Sequence, residues 1–127
     1  MSGQGGADVL LGGSFGEKLR GGAGDDQADG GKGADKVALG SGTDSAIYDK
    51  GDGSDRVRGG TGADSLSVRG TSGNDSFSLL PGAAGHVKLN GNTDLEGIET
   101  AAVAALGGDD ELTAGCSRCR PFRSISV

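Results

Sequence analysis

Seven aspartates in this chain follow a glycine at one fixed offset. Asp8, Asp26, Asp35, Asp44, Asp55, Asp64 and Asp75 stand two residues after Gly6, Gly24, Gly33, Gly42, Gly53, Gly62 and Gly73 respectively. The stretch Gly21 to Val37 writes the surrounding pattern twice, nine residues apart, as Gly-Gly-x-Gly-x-Asp-x-apolar-x. Glycines at three of four places let the backbone take φ > 0 and bend tightly with its carbonyls turned inward. The aspartate adds a carboxylate to that ring of carbonyls. Oxygen donors alone, on a tight turn, suit a hard cation such as Ca²⁺. The candidate ligand set is therefore the seven aspartates with the second- and fourth-place glycines, Gly22, Gly24, Gly31, Gly33, Gly40, Gly42, Gly51, Gly53, Gly60 and Gly62. A phosphate cradle is a poor alternative, because the carboxylate beside each bend repels anions. The spacing of an EF-hand loop is absent.

Behind the chemistry lies a repeat. Placing each acid sixth gives eight units, 3–11, 12–20, 21–29, 30–38, 39–47, 50–58, 59–67 and 70–78. Unit 12–20 departs from the rest, with Glu17 for Asp and Phe15 for the fourth-place glycine. The eighth-place residues, Leu10, Leu19, Ala28, Val37, Ala46, Val57, Leu66 and Phe77, are all apolar. Their neighbours are mostly polar, as at Lys36, Arg56, Arg58, Ser65 and Ser67. This period-two alternation predicts short strands with one buried face. Two-residue insertions at Tyr48-Asp49 and Val68-Arg69 lie twenty residues apart. If two units make one coil, both lengthen the same flank of successive coils, placing Ala46 and Tyr48 below Leu66 and Val68. A step of two residues keeps strand parity, so no side chain changes face.

Composition limits what else the chain can be. Its 127 residues include 28 Gly, three Phe, one Tyr and no Trp. So small and Ala-rich an apolar set supports a conventional core poorly. Residues 1–114 carry 18 acidic and 9 basic side chains, whereas 115–127 carry three Arg and no acid. The acidic body argues against nucleic acid and anionic membranes as partners, and for cations. No apolar run reaches transmembrane length, and Met1-Ser2-Gly3-Gln4 opens no cleavable signal peptide.

After Ser78 the pattern weakens. A short strand is expected around His86-Val87-Lys88-Leu89, and residues 94–106 suit either a helical face (Leu95, Ile98, Ala102, Leu106) or a strand (Ile98, Thr100, Ala102, Ala104). A partial unit returns at 105–113, with Gly107, Gly108, Asp110 and Leu112. The chain thus divides into a repeat region, 3–78, a degenerate capping region, 79–114, and a tail, 115–127, expected to be disordered or foreign. Cys116-x-x-Cys119 is half a zinc pattern without its second half. His86, the one histidine, has no ligand or acid partner at useful spacing, and no serine sits in a nucleophile elbow.

These residues resemble the hemolysin-type nonapeptide repeats of the repeats-in-toxin (RTX) family. The resemblance is strong over 3–78 and weak over 79–113, and Val68 to Phe77 is similar to the variant unit that often follows such repeats. It implies an all-β fold, a right-handed parallel β-roll with two units per coil and Ca²⁺ between like turns of successive coils. Carried over by position, one turn column stacks Asp8, Asp26, Asp44 and Asp64, and the other Glu17, Asp35, Asp55 and Asp75. The Glu17–Asp35 pair is the weak one, because of Phe15 and the longer Glu side chain. Without metal each column sets like charges about 4.8 Å apart, at roughly 1 to 3.5 kcal/mol per neighbouring pair. The metal-free chain is expected to be largely disordered.

The resemblance further implies a calcium-dependent folding module of a secreted or cell-surface bacterial protein, extracellular and exported by type I secretion, and part of a larger protein or array. Two other readings share the motif: the non-catalytic repeat portion of a secreted protease, lipase, epimerase or toxin, and a structural or adhesive surface repeat. In each, any catalytic residues would lie outside these 127 residues.

Overall fold

A computed structural model of the chain describes residues 1–49, 51–81, 87–90, 93–98, 100–104, 111–114 and 124–126. Those residues are built from strands and turns, with no helix among them. The repeats alternate between two sheets. Strands β1 (Ser2–Gly5), β3 (Lys18–Ala23), β5 (Lys36–Gly42) and β7 (Arg56–Gly62) stack in parallel in one sheet. Strands β2 (Val9–Leu11), β4 (Gln27–Asp29), β6 (Ser45–Asp49) and β8 (Ser65–Arg69) stack in parallel in the other. Each coil thus contributes one strand to each sheet, and the chain is a parallel β-roll. Such a solenoid closes its backbone hydrogen bonds between coils and packs each coil only on its neighbours.

The eighth-place residues form the core. All eight are buried, and the register stacks Leu19, Val37 and Val57 on one side and Leu10, Ala28, Ala46 and Leu66 on the other. The insertions act as their parity requires. Ala46 pairs with Leu66 and Tyr48 with Val68, all four side chains buried.

The roll departs from the expected order after β8. Strand β9 (Ser76–Pro81) does not stack on β7. It pairs antiparallel with β10 (Val87–Leu89), and β10 pairs antiparallel with β11 (Thr93–Glu96). Strand β11 takes the place beside β7, aligning Leu95 with Val57, and β12 (Thr100–Ala104) stacks on β8. Residues 93–104 therefore add a further coil, and β9–β10 is a hairpin looped out of the repeat order. Over the described residues 94–98 and 100–104 the helical alternative is not taken up. Of the strand alternative, the inward residues are Ala101 and Val103, whereas Ala102 and Ala104 are exposed. Ile98 is buried as well, so the inward parity changes between Ile98 and Ala101. Strand β13 (Glu111–Ala114) pairs with β9, and β14 (Ser124–Ser126) with β12. His86, Cys116 and Cys119 lie outside the described residues, as do Gly107, Gly108 and Asp110.

Candidate metal centre

The aspartates sit where the chain enters the strands, each one residue before a strand begins, in two columns of turns. In the first column the N–H of Asp8 donates to Asp26 Oδ1 (2.9 Å), that of Asp26 to Asp44 Oδ1 (2.8 Å), and that of Asp44 to Asp64 Oδ1 (3.1 Å). In the second, the N–H of Glu17 donates to Asp35 Oδ1 (2.7 Å) and that of Asp35 to Asp55 Oδ1 (2.9 Å). The carboxylates of Asp26, Asp35, Asp44, Asp55 and Asp64 are thus each tied by one oxygen to the coil before. Oδ2 of Asp8, Asp26, Asp35 and Asp44 is buried with no hydrogen-bond partner. An unpaired buried carboxylate oxygen costs several kcal/mol unless something cationic faces it.

The turns have the backbone that the glycine pattern requires. All ten second- and fourth-place glycines of the candidate set take φ between 81° and 142°, as at Gly22 (121°) and Gly24 (124°). An L side chain is strained there. The first-place glycines matter for another reason, since a Cβ on Gly30 would lie 2.6 Å from Asp35 Oδ2. Unit 12–20 lacks this geometry, for neither Gly13 nor Phe15 has positive φ, and Phe15 is exposed. Glu17 bends back to accept the N–H of Gly13 at 3.1 Å. Its carboxylate is occupied within its own turn.

Asp75 is not in the second column. Its side chain accepts hydrogen bonds from the backbone and hydroxyl of Thr71, and no residue of the 70–75 turn takes positive φ. The expected stacking of Asp75 on Asp55 is corrected by the looped-out hairpin. The successor of Asp55 is Thr93, whose Oγ1 accepts the Asp55 N–H at 3.4 Å. Thr93 escaped the sequence reading because it is no acid. Its signal was present, however: Gly91 and Leu95 flank it at the fourth- and eighth-place offsets.

Asp52 also escaped, standing third in its unit, where residue type varies. It is buried, and its Oδ2 accepts the Asp49 N–H (2.7 Å) while its carbonyl accepts that of Gly33 (2.7 Å). Burial pushes the Asp35, Asp44 and Asp52 carboxyls above the ordinary value. Asp55 is pushed to about 6, first by burial and then by the charges of Asp35, Asp52 and Asp29. Nearby, Arg69 binds Asp49 through two nitrogens and reaches Asp29 at 3.4 Å, tying three coils on the outer face. Among the described residues no three His, Cys, Asp or Glu side chains converge on one point. A cation here would be held by carboxylates from stacked turns together with backbone carbonyls, which is hard-oxygen chemistry suited to Ca²⁺.

A parallel roll with two columns of glycine–aspartate turns defines a repeat protein of the calcium-binding kind. The family model for the RTX calcium-binding nonapeptide repeat matches residues 11–46 and 51–83, more than half of the chain. The chain belongs to that family. No curated protein and no solved structure matches it.

Proposed function

We propose that the chain is a calcium-dependent folding module of a secreted or cell-surface bacterial protein. Ca²⁺ is held between stacked turns by Asp8, Asp26, Asp44 and Asp64 in one column and by Asp35 and Asp55 in the other. Carbonyls of the left-handed turns, among them those containing Gly22, Gly24, Gly31, Gly33, Gly40, Gly42, Gly51, Gly53, Gly60 and Gly62, complete the shells. The observation that carries this reading is the buried, partnerless Oδ2 of Asp26, Asp35 and Asp44. Cations facing those oxygens offset the charge repulsion of each column and substitute for a large apolar core. A module unfolded at cytosolic calcium and folded outside fits the secretion typical of the family.

The test is a Ca²⁺ titration of chelator-treated protein followed by circular dichroism. The β spectrum is expected to grow cooperatively at sub-millimolar to millimolar Ca²⁺, and Mg²⁺ to substitute poorly because it keeps its waters and demands octahedral geometry. An unchanged spectrum and melting temperature in chelator overturn the reading.

A further inference from the structure

We propose that the outer face of the sheet containing β3, β5 and β7 docks an extended acidic polysaccharide. The register places Lys18, Lys36 and Arg56 in one row across these strands and Arg20, Ala38 and Arg58 in the next. All five cations are exposed. They surround a groove of about 260 Å³ whose floor is Ala38, the one small residue in the two rows. Arg58 meets Glu96 at 2.8 Å and Arg56 approaches Asp94 at 3.8 Å, both acids on β11. Lys18, Arg20 and Lys36 make no ion pair among the described residues.

The fold does not call for these charges. The equivalent seventh-place residues of the other sheet are Val9, Gln27, Ser45 and Ser65, so that position needs no charge. Like charges directly opposite one another in a sheet are destabilising. In an acidic chain of net charge −6, cations gathered on one face make a surface complementary to a polyanion.

The face also selects among polyanions. Single-stranded nucleic acid is held by aromatic platforms on which bases stack, and Tyr48 and Phe77 are buried while Phe15, in a turn, does not line the groove. A membrane surface is held by apolar side chains that enter it, and the two rows offer none larger than alanine. A sugar polymer with regularly spaced acid groups, lying along the solenoid axis, meets one strand's cations after another. Its hydroxyls add acceptors for the Lys and Arg donors.

This surface exists only in the folded roll, so the inference rests on the calcium reading wherever Ca²⁺ is needed for folding. The full chain, folded in excess Ca²⁺ as checked by circular dichroism, is titrated with a size-defined heparin oligosaccharide. Saturable, salt-sensitive binding is expected. Lys18→Gln with Lys36→Gln is expected to weaken it about tenfold or more, while Lys32→Gln, in a turn off this face, leaves it unchanged. Should the double variant lose its β spectrum, Arg20→Gln alone must still weaken binding. Absence of binding, an equal loss in Lys32→Gln, no loss in Arg20→Gln, or tighter binding of a single-stranded oligonucleotide or of phosphatidylglycerol vesicles overturns the proposal. A roll that forms without Ca²⁺ and still binds the oligosaccharide supports this proposal and overturns the calcium reading alone.

Discussion

The backbone N–H of Asp55 donates to Thr93 Oγ1, 3.4 Å away, where the coils before it offer an aspartate Oδ1. That Oγ1 in turn donates to the Gly53 carbonyl at 3.2 Å. The hydroxyl therefore continues the hydrogen bonding of the second column while ending its charge. A neutral terminator lets one further coil stack on β7 without another carboxylate at the column position that faces the Asp55 N–H.

Thr93→Asp should restore the charge and extend the column. We expect one more Ca²⁺ bound and a lower calcium midpoint, with the metal-free form less ordered than the parent. Isothermal calorimetry reads the stoichiometry directly. An unchanged stoichiometry with a higher midpoint would count against the stacking of ligands in this column.

The regular part of the fold was legible because one residue type repeats there for one reason. Leu10 through Leu66 recur at the eighth place because each coil must bury one side chain above the last. Glycine recurs where φ must be positive. The same logic made Tyr48 and Val68 readable, since an insertion of two residues keeps its parity. It failed at Asp75, where the fourth-place glycine and the aspartate persist although Thr71 replaces the second-place glycine. Nothing within unit 70–78 records that β9 will pair with β10 and leave the place beside β7 to β11. That choice is made by contacts between residues far apart in sequence, Leu95 on Val57 and Ala101 on Leu66. Thr93 was missed for a related reason: a hydroxyl fills the hydrogen-bonding role of the acid without matching its pattern.

Asp26 and Asp44 each lie between two stacked turns of the first column, whereas Glu17 ends its column and spends its carboxylate on Gly13. Asp26→Ala or Asp44→Ala should raise the calcium midpoint about tenfold, the scale of a lost charged contact. Glu17→Ala should move it less than about twofold. Titrations of the three variants under one buffer decide the matter, and equal shifts would show the column assignment to be wrong.

Asp55 titrates at about 6 in the fold against an ordinary 3.8. The folded state then holds its proton more tightly than the unfolded one, so stability falls with rising pH in this window. The contribution is intact below about 3.8 and lost as pH rises through about 6. Asp35, Asp44 and Asp52 shift in the same direction. Chelator-treated protein should therefore show more β structure near pH 4.5 than near pH 7.5. The calcium midpoint should move the opposite way and rise on acidification, because protons compete for the carboxylates. A metal-free spectrum that loses β structure on acidification would contradict the raised carboxyl pKa values.

The tail and the region before it should differ in what they contribute. Strand β12 pairs with β8 over five residues and with β14 over three. Deleting 115–127 removes only the shorter pairing, so the coil β11–β12 keeps its seat on β7 and β8. Calcium-induced folding should survive that deletion. Deleting 79–127 takes away β10, β11 and β12 and leaves β7 and β8 as open parallel edges, which invite association between chains. Circular dichroism with light scattering should then report aggregation or a loss of cooperativity for the long deletion alone. If the short deletion by itself abolishes the transition, the three residues of β14 are an integral cap, and the tail belongs to the folding unit.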